Sequence, residues 1–123
     1  FVEQDDDLLN DVYYYGISWG GMLGPLFLAN DKRIIKAVWQ VAGLGARETR
    51  PEGSPLTFLS RINKPVLMLN GIYDQYFPFE TSQKPMYELL SLKEPMKKMI
   101  TYESAHSPPF NETSKEVLKW FNQ

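Results

Sequence analysis

The stretch Tyr13-Tyr14-Tyr15-Gly16-Ile17-Ser18-Trp19-Gly20-Gly21 constrains the fold of this chain more than any other. Three aromatic residues suited to a strand run into a glycine, a lone serine and two more glycines. The pattern predicts a β-strand that ends in a sharp turn and passes straight into a helix, with Ser18 at the apex. So tight a turn leaves little room for side chains two residues before and two after the serine, a need Gly16 and Gly20 meet. The helix behind the turn aims its first N–H groups at the same spot, where negative charge can be stabilised. Alone, the five-residue pattern arises often by chance, and serine is also a favoured helix cap. Its weight therefore depends on what the rest of the chain supplies.

A length of 123 residues allows one domain at most, and 43% hydrophobic residues suffice for a core. A net charge of −2 with no basic run argues against nucleic acid as a partner. The absence of cysteine excludes a disulfide scaffold, thiolate metal sites and a cysteine nucleophile together. No apolar run approaches the ~20 residues that span a bilayer, so no membrane partner is expected. The chain opens on Phe1, with neither methionine nor a basic-then-apolar leader, which reads as a cut inside a longer protein.

Strands are expected over Val12 to Tyr15, Ala37 to Val41, Pro65 to Leu69 and Lys98 to Glu103. The first reads as buried, and the third is apolar on both faces, as an interior parallel strand should be. Helices are expected over Gln4 to Leu9, Ser18 to Asn30, Thr57 to Ile62, Glu80 to Leu90 and Thr113 to Phe121. The second of these is expected to bend or break at Gly24-Pro25, with Met22, Leu23, Leu26 and Phe27 as its apolar stripe. Leu59 and Ile62 should pack inward, and Gly43 to Pro55 reads as a loop. This alternation predicts an α/β fold with an open parallel sheet of about four strands flanked by helices.

A serine hydroxyl needs a base to become a good nucleophile. The single histidine, His106, follows the fourth strand in Glu103-Ser104-Ala105-His106. A histidine in that role needs a carboxylate to hold its tautomer. Asp74 follows the third strand, in Asn70-Gly71-Ile72-Tyr73-Asp74-Gln75-Tyr76-Phe77-Pro78. Loops at the carboxyl ends of parallel strands gather on one edge of the sheet, so Ser18, Asp74 and His106 are expected together. Glu80 and Glu103 are rival acids, but one sits within a helix and the other at a strand end. Trp19 reads as both a structural cover and a wall of the pocket. Tyr76 and Phe77 would line its mouth, although packing of the loop accounts for them equally well. Arg47 and Arg50 read as solvated loop charges that an acidic substrate group would meet. Asp5-Asp6-Asp7 are adjacent, so they cannot all face one ion on a helix and read as a solvated helix end. With one histidine and no ligand-spaced cluster, neither metal nor other cofactor is expected.

Taken in order, the segments G-I-S-W-G-G, N-G-I-Y-D-Q-Y-F-P and E-S-A-H resemble the C-terminal half of an α/β-hydrolase. The likeness is to the dienelactone hydrolase, acetyl xylan esterase and prolyl-oligopeptidase branches, and it covers nearly the whole chain. It implies a single partial α/β-hydrolase domain over 1–123. Ser18 would be the nucleophile, Asp74 the acid, His106 the base, and the backbone N–H of Trp19 one of two oxyanion donors. It implies carboxylic-ester hydrolysis through an acyl-enzyme on a small-molecule ester, with a peptidase acting on peptides as the enzymatic alternative. The family's sheet has about eight strands, and its second oxyanion donor comes from an early loop. This chain supplies about four strands. Its first strand is thus expected to expose an edge to a second copy or to a missing N-terminal half. A non-catalytic half-domain is the competing class of function.

Overall fold

The computed structural model describes residues 11–46 and 50–123. The helix expected over Gln4 to Leu9, the Asp5-Asp6-Asp7 run and Arg47 lie outside them. Strand β3 (Val66–Gly71) organises the architecture, because all of its residues are buried. A strand with no solvated face needs a neighbour on each edge and a layer on each side. Its edges pair in parallel with β2 (Ile34–Gln40) and β4 (Lys97–Tyr102). Beyond β2 lies β1 (Val12–Ile17), which completes a four-stranded parallel sheet in the order β1-β2-β3-β4.

The helical layers follow from the pleat. Ala37, Trp39, Val66 and Met68 point to one face, covered by α1 (Trp19–Asn30), α2 (Pro55–Leu59) and α3 (Lys84–Leu89) through Leu28, Leu59 and Met86. Val38, Leu67 and Leu69 point to the other, covered by α4 (Phe110–Phe121) through Val117 and Trp120. Each such aliphatic side chain contributes about 1.5–3 kcal/mol by leaving water. A π-helical turn, Phe79–Gln83, leads directly into α3, and a short 3₁₀ turn covers Pro51–Gly53. No helix among the described residues is long and apolar enough to cross a membrane.

Helix α1 does not bury the stripe its sequence suggests. Its buried residues are Gly21, Gly24, Pro25 and Leu28, whereas Phe27 is exposed and Met22, Leu23 and Leu26 are half-buried. The reason is the fully buried indole of Trp39: a Cβ on Gly24 would lie 2.1 Å from its Nε1. The large side chain comes from the sheet, so the helix must present small ones. The helix also runs unbroken through Pro25, whose ring is buried one turn before Leu28. Core packing here overrides the backbone bond that proline removes.

Two lysines at the starts of strands close helix ends: Lys64, before β3, closes α1, and Lys97, in β4, closes α3. Lys64 Nζ donates to Leu28 O (2.9 Å) and Asp31 O (2.6 Å), and burial pulls its pKa below the usual lysine value. Lys97 Nζ donates to Tyr87 O and Leu90 O, both at 2.9 Å. These satisfy carbonyls that a helix end leaves open and favour positive charge at the negative pole of the helix. Strand β1 is an edge strand, not the buried strand its aromatic run suggests. Tyr13, Tyr15 and Ile17 are each about half exposed on its α4 face. Among the described residues, Phe121 reaches that face, with its ring 5.0 Å from that of Tyr13.

Candidate functional site

Strands β1, β3 and β4 run parallel, so the segments that leave their carboxyl ends emerge on one edge of the sheet. Ser18 follows β1 directly. Its φ of 55° and ψ of −114° put a serine in a region that costs on the order of 1–3 kcal/mol. The surroundings hold it there. Ser18 N–H donates to Gln40 O at 2.8 Å, one step beyond the β1–β2 ladder, and Ser18 O accepts from Met22 N at 2.9 Å to start α1. A Cβ on Gly16 would lie 2.5 Å from Gly20 O and 2.8 Å from Gly21 N, so glycine is obligatory there. Gly20 differs from the expectation: the nearest atom to a Cβ on it is the Tyr14 hydroxyl, 3.9 Å away. The other crowded position is Gly21, where a Cβ would lie 2.6 Å from Ala42 Cβ. As the first residue of α1, Trp19 has its N–H outside the helical ladder, beside Ser18.

Asp74 and His106 sit on adjacent loops that continue the β3–β4 pairing past the strands. Ile72 N–H donates to Tyr102 O and Tyr73 N–H to Ser104 O, both at 3.0 Å. The two loops approach as closely as bare backbone allows, since a Cβ on Gly71 would lie 2.0 Å from Ala105 O. Asp74 Oδ1 accepts the N–H groups of Tyr76 (2.8 Å) and Phe77 (3.1 Å), which aims Oδ2 at His106 Nδ1, 2.7 Å away. The Asp74 side chain is sealed from solvent, and that of His106 is 25% exposed. His106 Nε2 lies 2.7 Å from Ser18 Oγ. An ionised carboxylate only accepts, so Nδ1 carries the ring proton and Nε2 is left to accept from the Ser18 hydroxyl.

Ser18, Trp19, Met22, Tyr76, Phe77 and His106 line a cavity of about 420 Å³. The Tyr76 ring lies 4.8 Å from the imidazole of His106, and that of Phe77 6.0 Å. The rival acids are elsewhere: Glu80 is exposed and pairs with Lys84 at 3.3 Å, and Glu103 is exposed at the end of β4. Arg50 is exposed and is not part of the lining. Met22, expected in a core stripe, instead faces the cavity. Sequence reasoning also missed Asn70. Fully buried, it donates Nδ2–H to Ala42 O (2.8 Å) and accepts Ala42 N–H at Oδ1 (3.3 Å). That double contact fixes the chain next to Val41, whose φ of 45° is rare for a β-branched residue. One polar residue ending the apolar run Val66-Leu67-Met68-Leu69 was the available signal.

Four parallel strands in sequential order, helices on both faces and three polar residues at their carboxyl edge define a partial α/β-hydrolase fold. Solved structures bear this out. The chain matches a protein assigned as a dienelactone hydrolase in Klebsiella pneumoniae with a TM-score of 0.74 at 24% identity, over 90% of this chain and 51% of that one. It matches an esterase from Pyrococcus furiosus with a TM-score of 0.75 at 16% identity, over 92% and 53%. It matches an acylaminoacyl peptidase from Pyrococcus horikoshii with a TM-score of 0.75 at 15% identity, over 98% and 25%. The chain thus spans about half the length of the first two and a quarter of the third. All three belong to the α/β-hydrolase superfamily, and at these identities the likeness establishes the fold. No protein-family profile and no curated protein sequence matches the chain.

Proposed function

We propose that this chain carries the reacting side chains of a serine hydrolase that cleaves carboxylic esters. The observation that supports this most is the continuous relay from Ser18 Oγ to His106 Nε2 and from His106 Nδ1 to Asp74 Oδ2, both at 2.7 Å. In this reading Ser18 Oγ attacks the ester carbonyl while His106 Nε2 takes its proton. Asp74 holds the imidazole in the required tautomer and stabilises the imidazolium. The oxyanion forms against Trp19 N–H and the positive end of α1. His106 then protonates the departing alcohol, and water, activated by the same nitrogen, releases the acid. The cavity formed by Trp19, Met22, Tyr76 and Phe77 would take the organic part of the ester.

The match to acylaminoacyl peptidase over 98% of this chain supports peptide cleavage by the same relay as a second reading. In α/β-hydrolases the second oxyanion donor comes from an earlier loop, and losing one such donor costs about 10²–10³ in turnover. Slow turnover by these 123 residues alone is therefore expected. The outermost position of β1 among the described strands and the half-exposed Tyr13, Tyr15 and Ile17 on it support association with a second copy or with a complementary half.

The test is labelling of the purified chain with a fluorophosphonate, read by mass spectrometry. The expected result is one adduct on Ser18 that is absent in Ser18→Ala and slower in His106→Ala. Labelling no faster than in Ser18→Ala would overturn the enzymatic reading and leave a half-domain that only assembles.

A further inference from the structure

The π-turn Phe79–Gln83 stands out, because such turns are rare and a regular helix would close its hydrogen bonds better. Both Ser82 N–H (2.9 Å) and Gln83 N–H (3.3 Å) converge on Pro78 O. The consecutive residues Ser82 and Gln83 are both buried, and each is spent on a different loop. Ser82 Oγ donates to Leu44 O at 2.7 Å, on the segment after β2. Gln83 reaches the loop that carries Asp74. Its Nε2 donates to Gly71 O at 2.8 Å and to Phe77 O at 2.7 Å, the two ends of that loop. A reversed amide would set an oxygen against two carbonyl oxygens, so the orientation follows from the partners.

Gln83 is fully buried, and its Oε1 has no partner among the described residues. A side chain kept only for packing would not bring an unpaired acceptor into the core, where an apolar residue of equal volume is favoured. The two donors are what an apolar residue would lack. They close the loop from outside, while Asp74 Oδ1 closes it from inside through Tyr76 and Phe77 N–H. Those same bonds set the direction of Oδ2 toward His106.

We propose that Gln83 is a positioning residue for Asp74. Its amide clamps Gly71 O to Phe77 O and so holds the carboxylate at hydrogen-bond distance from His106. The π-turn is what delivers that amide. The proposal rests on the serine-hydrolase reading for its kinetic consequence but not for its structural one.

The test compares Gln83→Met, Asp74→Asn and the double variant in the full chain. Two readouts are used: the rate of phosphonylation of Ser18, and the downfield proton resonance of the imidazole Nδ1–H. His106 is the only histidine, so that resonance needs no assignment. Gln83→Met is expected to slow labelling by roughly 10- to 100-fold, as misplacement of a reacting group by about 1 Å does. It is also expected to weaken or abolish the resonance while the circular dichroism spectrum is kept. In the Asp74→Asn background it should add less than about a twofold further loss, because both changes then break one contact. Equal losses in both backgrounds, or an unaltered resonance in Gln83→Met, would overturn the proposal. Absence of labelling in the unmutated chain would remove the enzymatic reading, and the resonance alone would then decide the clamp. If Gln83→Met does not fold, Gln83→Leu, which likewise lacks the donor and introduces no charge, is read in the same two ways.

Discussion

A methyl group on Gly16 would sit 2.5 Å from Gly20 O, 2.6 Å from Gly20 C and 2.8 Å from Gly21 N. These approaches are about 1 Å inside van der Waals contact. All three atoms are backbone in the first turn of α1, so no rotamer relieves them, and the helix start must move away from β1. Overpacking of this kind costs about 1–3 kcal/mol. At about 4 °C per kcal/mol for a chain of this size, Gly16→Ala should melt about 4–12 °C lower. Ser18 is joined to both elements that separate, so a shift approaching 1 Å should slow its phosphonylation by up to ~10²-fold. Gly20→Ala meets nothing closer than 3.9 Å and needs no positive φ. Alanine in the first helical turn should instead raise stability by about 0.5–1 kcal/mol and leave labelling within about twofold. Thermal melts and labelling rates of the two variants, side by side, provide the assay. Equal damage from both substitutions, or a harmless Gly16→Ala, would refute the steric argument.

Gly24→Ala should be destabilising although alanine is the better helix former by about 1 kcal/mol, because its Cβ would meet the buried Trp39 indole at 2.1–2.7 Å. A melting temperature at or above that of the unmutated chain would show that Trp39 can yield. Hydrogen bonds from the Arg33 side chain and then from its N–H hold the Asp31 carboxyl at about 2, below its ordinary 3.8. The folded value is the lower one, so this contribution is fully present above about pH 4 and is lost as pH falls through about 2. Asp31→Asn should therefore flatten the acid limb of the stability profile between those values, and an unchanged slope in denaturant titrations would contradict it. The half-exposed Tyr13, Tyr15 and Ile17 on β1, the outermost strand among the described residues, should drive self-association that Tyr15→Lys weakens. Sedimentation showing a monomer at high micromolar concentration would sink that expectation.

What the sequence revealed and what it hid divide along a physical line. Val66 to Leu69 is apolar at every position, and only a central parallel strand buries both faces, so β3 and its neighbours were legible. The candidate site was legible for a related reason. Ser18, Asp74 and His106 each follow a strand, and parallel strands deliver their carboxyl ends to one edge whatever the helices between them do. The strand count pointed to β1 as an edge strand, but the half exposure of Tyr13 and Tyr15 was not legible from Tyr13-Tyr14-Tyr15, because an aromatic run looks the same on an edge as in a core. Nor was the packing face of α1, which is decided by Trp39 on another element. Gln83 was hidden most completely. Its role depends on a π-turn and on two carbonyls 6 and 12 residues away, and nothing in Phe79-Glu80-Thr81-Ser82-Gln83 announces either.

The contacts that hold the site lie within this chain, and each has a backbone group on at least one side. Ser18 is pinned by Gln40 O and Met22 N, and Asp74 by Tyr76 and Phe77 N–H. The Asp74 and His106 loops are pinned by the bonds from Ile72 and Tyr73. None of these partners lies in a segment that a longer α/β-hydrolase would have to add. In the proposed serine hydrolase, assembling an activated serine and stabilising the charge that forms after its attack are therefore separable tasks. Phosphonylation needs one such attack, on a phosphorus centre with an activated fluoride leaving group, whereas ester turnover needs two, acylation and deacylation, each of which draws on the oxyanion donors. A chain built this way should label more readily than its turnover of esters would suggest. Supplying a second oxyanion donor should raise turnover while leaving the 2.7 Å contacts at His106 as they are.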